Sequence, residues 1–223
     1  MQLRTLFSCL CCAFLSVANA GDLDQARSAV DRGDFSKAIE LLSSLAEAGD
    51  VDALGNLGNM HAFGQGVPPD LAKAAFYWSK AADLGLGTAM GNLGQLALLG
   101  HGGIPKDEKL AFDWFRRAAE HRHAPSMIRI SGYYFSGVVV AEDRIRALAW
   151  AGLAAANAKV PQLRAAAERQ AREIGSQMTA SQIEEAQRAS EALRREINAN
   201  AQKYKERPKA QQLVPADAAT PPR

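Results

Sequence analysis

The polar residues with the most regular spacing in this chain are amides. Asn56 and Asn92 stand 36 residues apart and Arg129 follows 37 later, while Asn59, Gln95 and Gly132 repeat the same offsets one helical turn on. A carboxamide donates and accepts hydrogen bonds at once, so a ladder of them at fixed steps suits the backbone of an extended peptide. Asn56 and Asn92 read first as bridges between helices within a stack, while Asn59, Gln95 and Arg129 are as open to a partner as to the stack. His61, Tyr133 and Tyr134 complete the candidate binding set, the two tyrosines standing with Phe135 and Val138 to Val140 as an apolar concentration that is either core or an exposed patch for a partner. His121 and His123 are the only clustered histidines. Their spacing puts them on different helix faces, with Glu120 the one nearby carboxylate. They read as cationic side chains near a helix C-terminus, where the dipole favours positive charge, rather than as metal ligands. No nucleophile–base pair, phosphate loop or paired-carboxylate motif occurs. The expectation is a protein that is not an enzyme and needs no metal or cofactor.

Those residues recur because the chain repeats itself. The segment from Ala53 to Ala82 is nearly copied from Ala89 to Ala119, with Leu57 and Gly58 becoming Leu93 and Gly94, and Ala81 becoming Ala118. A third unit is diverged but in register: Asp107, Ala111, Trp114 and Ala118 become Asp143, Ala147, Trp150 and Ala154. Self-similarity at this period signals stacked helix pairs. Apolar spacing predicts helix throughout, in ten segments. Aspartates at Asp34, Asp70, Asp107 and Asp143 stand where N-caps belong, and Gly49 where a left-handed C′ residue would. Glycine inside a helix costs on the order of 1 kcal/mol against alanine, so Gly58 and Gly94 at one register predict close approach of a neighbouring backbone. Ala74, Ala111 and Ala147 supply a small face on the second helix, and Tyr77, Trp114 and Trp150 a large one.

Between the two helices of each unit lies a glycine–proline loop, Gly64 to Asp70 and Gly100 to Asp107. The pattern of Ala53, Asn56, Leu57, Gly58, Gly64, Gly66, Val67, Pro68, Asp70, Lys73, Ala74, Trp78, Lys80, Ala81 and Ala82 resembles the Sel-one-like repeat family, relatives of the tetratricopeptide repeats. The resemblance implies an all-α fold, an α/α superhelical solenoid of stacked antiparallel helix pairs whose concave surface serves protein–protein interaction. It also implies envelope or signalling assemblies as the setting, since bacterial members are often exported. The family's tyrosine before the loop is His61 in the first unit and Ala97 in the second, and is kept only at Tyr134. The third unit lacks the second loop glycine, which puts its loop geometry in doubt.

On this reading the chain divides into a cleaved signal peptide (1–20), a degenerate N-terminal helix pair (21–49), three repeat units (50–158), C-terminal helices (159–204) and a disordered tail (205–223). Arg4, the apolar run Leu6 to Val17 and the Ala18–Asn19–Ala20 site form the signal, predicting export, to the periplasm first of all or fully secreted. Cys9, Cys11 and Cys12 are the chain's three cysteines, so the remainder has no disulfide or thiol chemistry. Lysine plus arginine (26) nearly balance aspartate plus glutamate (24). Nothing in that balance asks for nucleic acid, which demands clustered excess positive charge, and no later apolar run is long enough to span a membrane. Ile183, Ala186, Ser190, Leu193 and Ile197 form an apolar seam on the last helix, for capping the array or for self-association. The function expected is an exported, non-enzymatic scaffold for a protein partner. The alternatives are a hydrolase acting on cell wall or β-lactams and a self-associating structural protein.

Overall fold

The computed structural model describes residues 20–205, with side chains over 21–202. Residues 1–19, which carry most of the export reading and all three cysteines, and residues 206–223, most of the expected tail, lie outside the described residues. Within the described span the chain forms ten helices: α1 Ala20–Asp31, α2 Phe35–Glu47, α3 Val51–Phe63, α4 Leu71–Asp83, α5 Gly87–Leu99, α6 Glu108–Glu120, α7 Ala124–Ser136, α8 Arg144–Asn157, α9 Pro161–Gly175 and α10 Ala180–Lys205. The array is all-α, α1 to α9 each packing on the next in sequence, more extensively within the pairs α3–α4, α5–α6 and α7–α8 than between them. No described helix is long and apolar enough to cross a membrane.

Local chemistry sets the helix ends. Asp34, Asp50, Asp70, Asp107 and Asp143 each accept a backbone N–H of the first turn they precede, satisfying donors the helix itself leaves orphaned. At Asp70 these bonds, above all that from the Lys73 N–H, hold the carboxyl below its usual range. Gly64, Gly100 and Gly137 close α3, α5 and α7 in the left-handed conformation. Thr179 and Gln182 form a capping box before α10: the Thr179 N–H donates to Gln182 Oε1 at 2.9 Å and the Gln182 N–H to Thr179 Oγ1 at 3.3 Å.

The loop of the third unit departs from expectation. Despite its lost glycine it closes as the others do. The N–H of Asp143 donates to the Tyr134 carbonyl at 2.8 Å, as Asp70 does to His61 at 2.8 Å and Asp107 to Ala97 at 2.9 Å. The closure runs through backbone, so the side chain at the family's tyrosine position is free to vary. The second loop glycine has a different task. A Cβ on Gly102 would lie 2.6 Å from the Leu71 carbonyl, and one on Gly66 would collide with Phe35. The loop therefore bears on the second helix of the preceding pair. Val139 takes this place in the third unit and packs on the core cluster that includes Phe112 and Phe115 of α6.

The mid-helix glycines also need correcting. What approaches Gly58 and Gly94 is an aromatic ring rather than a backbone. A methyl at Gly58 would fall inside the indole of Trp78, and one at Gly94 would lie 2.8 Å from the Phe115 ring. In the third unit the pair becomes Ser131 and Ala151, both fully buried, with Ser131 Oγ donating to the Ala147 carbonyl at 2.7 Å. Small against large therefore holds in the first two units, and in the third, where the large partner shrinks, a hydroxyl fills in. The predicted small face, Ala74, Ala111 and Ala147, is fully buried.

At the C-terminal end α9 packs on α7 and α8, and α10 on α8. Of the predicted seam, Ala186 and Ile197 are buried, and Leu193 joins Ile197 in the cluster built around Trp150, Leu153 and Ala154. These three residues of the seam are used within the chain.

Candidate functional site: the groove across α1, α3 and α5

Asp52, Asn56 and Asn59 stand on one stripe of α3 at i, i+4 and i+7, and Thr88, Asn92 and Gln95 on the matching stripe of α5. The stripe stays exposed or half-buried, while the positions between its residues are buried. Arg27 of α1 joins it, and a groove opens across the three helices. Arg27, Asp52, Asn56, Asn59, Thr88 and Asn92 line it, over a floor that includes Gly55, Trp78, Leu86 and Ala89. Arg27 and Asp52 approach to 3.7 Å, both largely exposed, a contact weakened by solvent.

The polar groups differ in their commitments. Asn59 Oδ1 accepts the indole N–H of Trp78 at 3.2 Å, so this carboxamide is partly spent on fixing the ring that sits on Gly58. Asn56 and Asn92 are half-buried, with no hydrogen bond to any described residue, and no polar atom of theirs is sealed from solvent. Their amides are presented to the groove. The second unit has phenylalanine where the first has Trp78, leaving Gln95 no indole to hold. Gln95 Oε1 accepts instead from Arg129 at 3.3 Å, whose guanidinium lies 5.7 Å from the Phe115 ring. Gln95 and Arg129 thus lie beyond the groove lining, further along the same face.

The remaining predicted residues lie elsewhere. His61 stacks on Tyr77, ring centroids 5.5 Å apart and nearly parallel. Its Nδ1 is buried without a partner, and burial, then the charge of Lys73, lowers its pKa. Tyr133 and Tyr134 meet Phe112 edge-on at 5.5 and 6.1 Å, and burial, the largest cause, raises the Tyr133 phenol. These tyrosines knit α7 to α6. His121 and His123 are not the cationic groups expected. His123 is the N-cap residue of α7, its Nδ1 2.8 Å from Ser126 Oγ. Its ring covers Gly91, where a Cβ would lie 2.6 Å away, and burial lowers its pKa to about 4. His121, at the end of α6, is lowered as well, by burial and then by Arg117. Both imidazoles are neutral at neutral pH. Among the described residues no group of three ligating side chains could hold a metal ion.

Arg27, Asp52 and Thr88 were missing from the predicted set. Asp52 and Thr88 carried a usable signal: they are 36 apart and one turn before Asn56 and Asn92. Arg27 carried none, because the first pair has no glycine loop to set its register.

Ten helices stacked in pairs, with the same polar stripe on successive first helices, define an α/α repeat protein. The model of the Sel1 repeat matches residues 21–50, 51–86, 87–123 and 124–158 in succession; the chain belongs to the Sel1 repeat family. The match counts α1–α2 as a repeat in its own right. Among solved structures, a Sel1 repeat protein from Oxalobacter formigenes is 25% identical, with a TM-score of 0.58 over 61% of this chain and 56% of that one. The protective antigen c5321 of uropathogenic Escherichia coli, which displays the same repeat fold, is 24% identical, with a TM-score of 0.62 over 90% of this chain and 45% of that one. The chain thus spans about half the length of these two relatives. No curated protein matches it. Proteins of the Sel1 repeat family generally mediate protein–protein interaction as non-catalytic scaffolds.

Proposed function

We propose that this chain is an exported, non-enzymatic adaptor that holds an extended segment of a protein partner across α1, α3 and α5. The observation that carries this reading is the pair of uncommitted amides, Asn56 and Asn92, at one register of successive repeats in a shared groove. A carboxamide can donate to a peptide carbonyl and accept from a peptide N–H together, so two of them one repeat apart read main chain more than sequence. Arg27 and Asp52 add opposite charges at one end. Export, and the periplasm as its destination, rest on the n-region, apolar run and Ala-x-Ala site of residues 1–20.

The test is recovery of partners from an envelope extract on immobilised protein, comparing the parent with Asn56→Ala/Asn92→Ala. Losing two bidentate contacts weakens binding roughly tenfold or more, and recovery falls accordingly while the thermal melt stays put, since neither amide bonds within the fold. Undiminished recovery by the double variant places the partner elsewhere. The mass of the protein from a periplasmic fraction checks the export reading: a chain starting at Gly21 supports it, and an intact Met1 overturns it.

A further inference from the structure

A second pocket lies at the other end of the array, between the α6–α7 turn, the end of α8 and the last turns of α10. Arg122, Leu153, Asn157, Arg194, Ile197 and Asn198 line it, together with Ala156. Arg122 holds an unusual backbone. It stands at φ 61°, the one non-glycine residue with positive φ among the described residues, and the matching turns carry Gly49 at 83° and Gly85 at 89°. A side chain there costs conformational energy that glycine avoids. Its guanidinium donates to Asn198 Oδ1 of α10. Neither Arg122 nor Arg194 has a carboxylate partner among the described residues, and no lining residue is acidic. Two arginines therefore line one pocket together with the buried, apolar pair Leu153 and Ile197. Strained backbone that places a charged group in a pocket is the arrangement expected of a binding site, and a guanidinium fork matches a planar carboxylate.

We infer that this pocket is a carboxylate site for the C-terminal end of a peptide with an aliphatic last residue. The two arginines take the carboxylate, and Leu153 and Ile197 take the side chain beside it. A compact, fully hydrated oxyanion makes no use of that apolar pair. The choice of a peptide as carrier rests on the protein-binding reading above; the site itself is separate from the Asn56–Asn92 groove.

The experiment is an NMR titration of the full chain with N-acetyl-alanyl-leucine, its C-terminal amide, and inorganic phosphate, following the arginine Nε–H resonances. The acid shifts Arg122 and Arg194 saturably, and the amide and phosphate bind at least roughly tenfold more weakly. Arg194→Gln weakens the acid to a similar degree. Arg122→Gly does so too while melting at or above the parent temperature, because it restores glycine to a left-handed position. That combination, lost binding with retained stability, separates a ligand role from a structural one. Asn56→Ala/Asn92→Ala leaves the titration unchanged, so failure of the groove and failure of this pocket are told apart. Equal shifts with acid and amide, tighter binding of phosphate, or full acid binding by Arg122→Gly overturns the inference.

Discussion

Gly58→Val lowers the stability of the array by about 3 kcal/mol or more, and even Gly58→Ala destabilises it. The second result reverses the usual sign, since glycine to alanine inside a helix gains on the order of 1 kcal/mol. The reversal follows from what lies above Gly58. A Cβ there enters the Trp78 indole, which is buried and held by its N–H to Asn59. The ring cannot swing aside without losing that bond, and overpacking a fixed core costs about 1–3 kcal/mol, more for a branched side chain. The third unit supplies the rescue, because Ser131 and Ala151 occupy the same two positions there without conflict. Gly58→Ser/Trp78→Ala is therefore less destabilised than the sum of its single changes, by roughly 1–3 kcal/mol in a double-mutant cycle. Urea unfolding of the four proteins measures this. Additive single effects would mean that the glycine and the ring do not press on one another.

Acidification from pH 6.5 to 4 unfolds this protein more readily, and His123 is the main cause. Burial lowers its pKa from 6.5 to about 4. Between those values the unfolded chain binds a proton at this imidazole that the folded chain refuses. Stability is thus fully present above about pH 6.5 and falls as pH drops toward 4, by at most about 3 kcal/mol at 1.36 kcal/mol per pKa unit. His61 and His121, both lowered, act in the same direction, and Asp83, raised by burial, acts in the opposite one. Urea midpoints at pH 7.5 and 4.5, for the parent and for His123→Asn, check the assignment. Asparagine can still serve at an N-cap, and its variant retains only the shallower slope of the other groups. An unchanged slope in the variant, or an imidazole that titrates near 6.5 by NMR, refutes it.

Much of the architecture could be read along the chain because repetition makes it a local matter. Each unit carries its own start, stop and turn: Asp70 and Asp107 cap the helices they precede, Gly49 and Gly85 end others with positive φ, and each loop closes on a backbone carbonyl nine or ten residues earlier. Signals that act within one turn of chain survive without knowledge of the rest. The buried alanines at Ala74, Ala111 and Ala147 were visible for the same reason, since one register serves one environment.

The site was readable only in part. The amide ladder marked the right face, yet it could not divide its members. Asn56 and Asn92 were expected foremost as internal bridges, and they are the uncommitted pair; Asn59, as open a candidate as any, holds the Trp78 indole 19 residues away. Whether an amide is spent or available depends on the ring across from it, and that ring changes from Trp78 to Phe115 between units that otherwise match. His123 was misjudged for a related reason. Its neighbours in sequence suggest a helix C-terminus, while its surroundings in space are Ser126 and the bare backbone of Gly91.

The amino-acid sequence by itself determined the repeat, its period, its helix ends and the face on which polar residues gather, because these follow from backbone geometry within a few residues. Tertiary structure alone decided which side chains on that face remain available, that His123 is neutral, and that Arg122 and Arg194 share a pocket with α10. Those outcomes depend on desolvation and on contacts between residues brought together from distant parts of the chain.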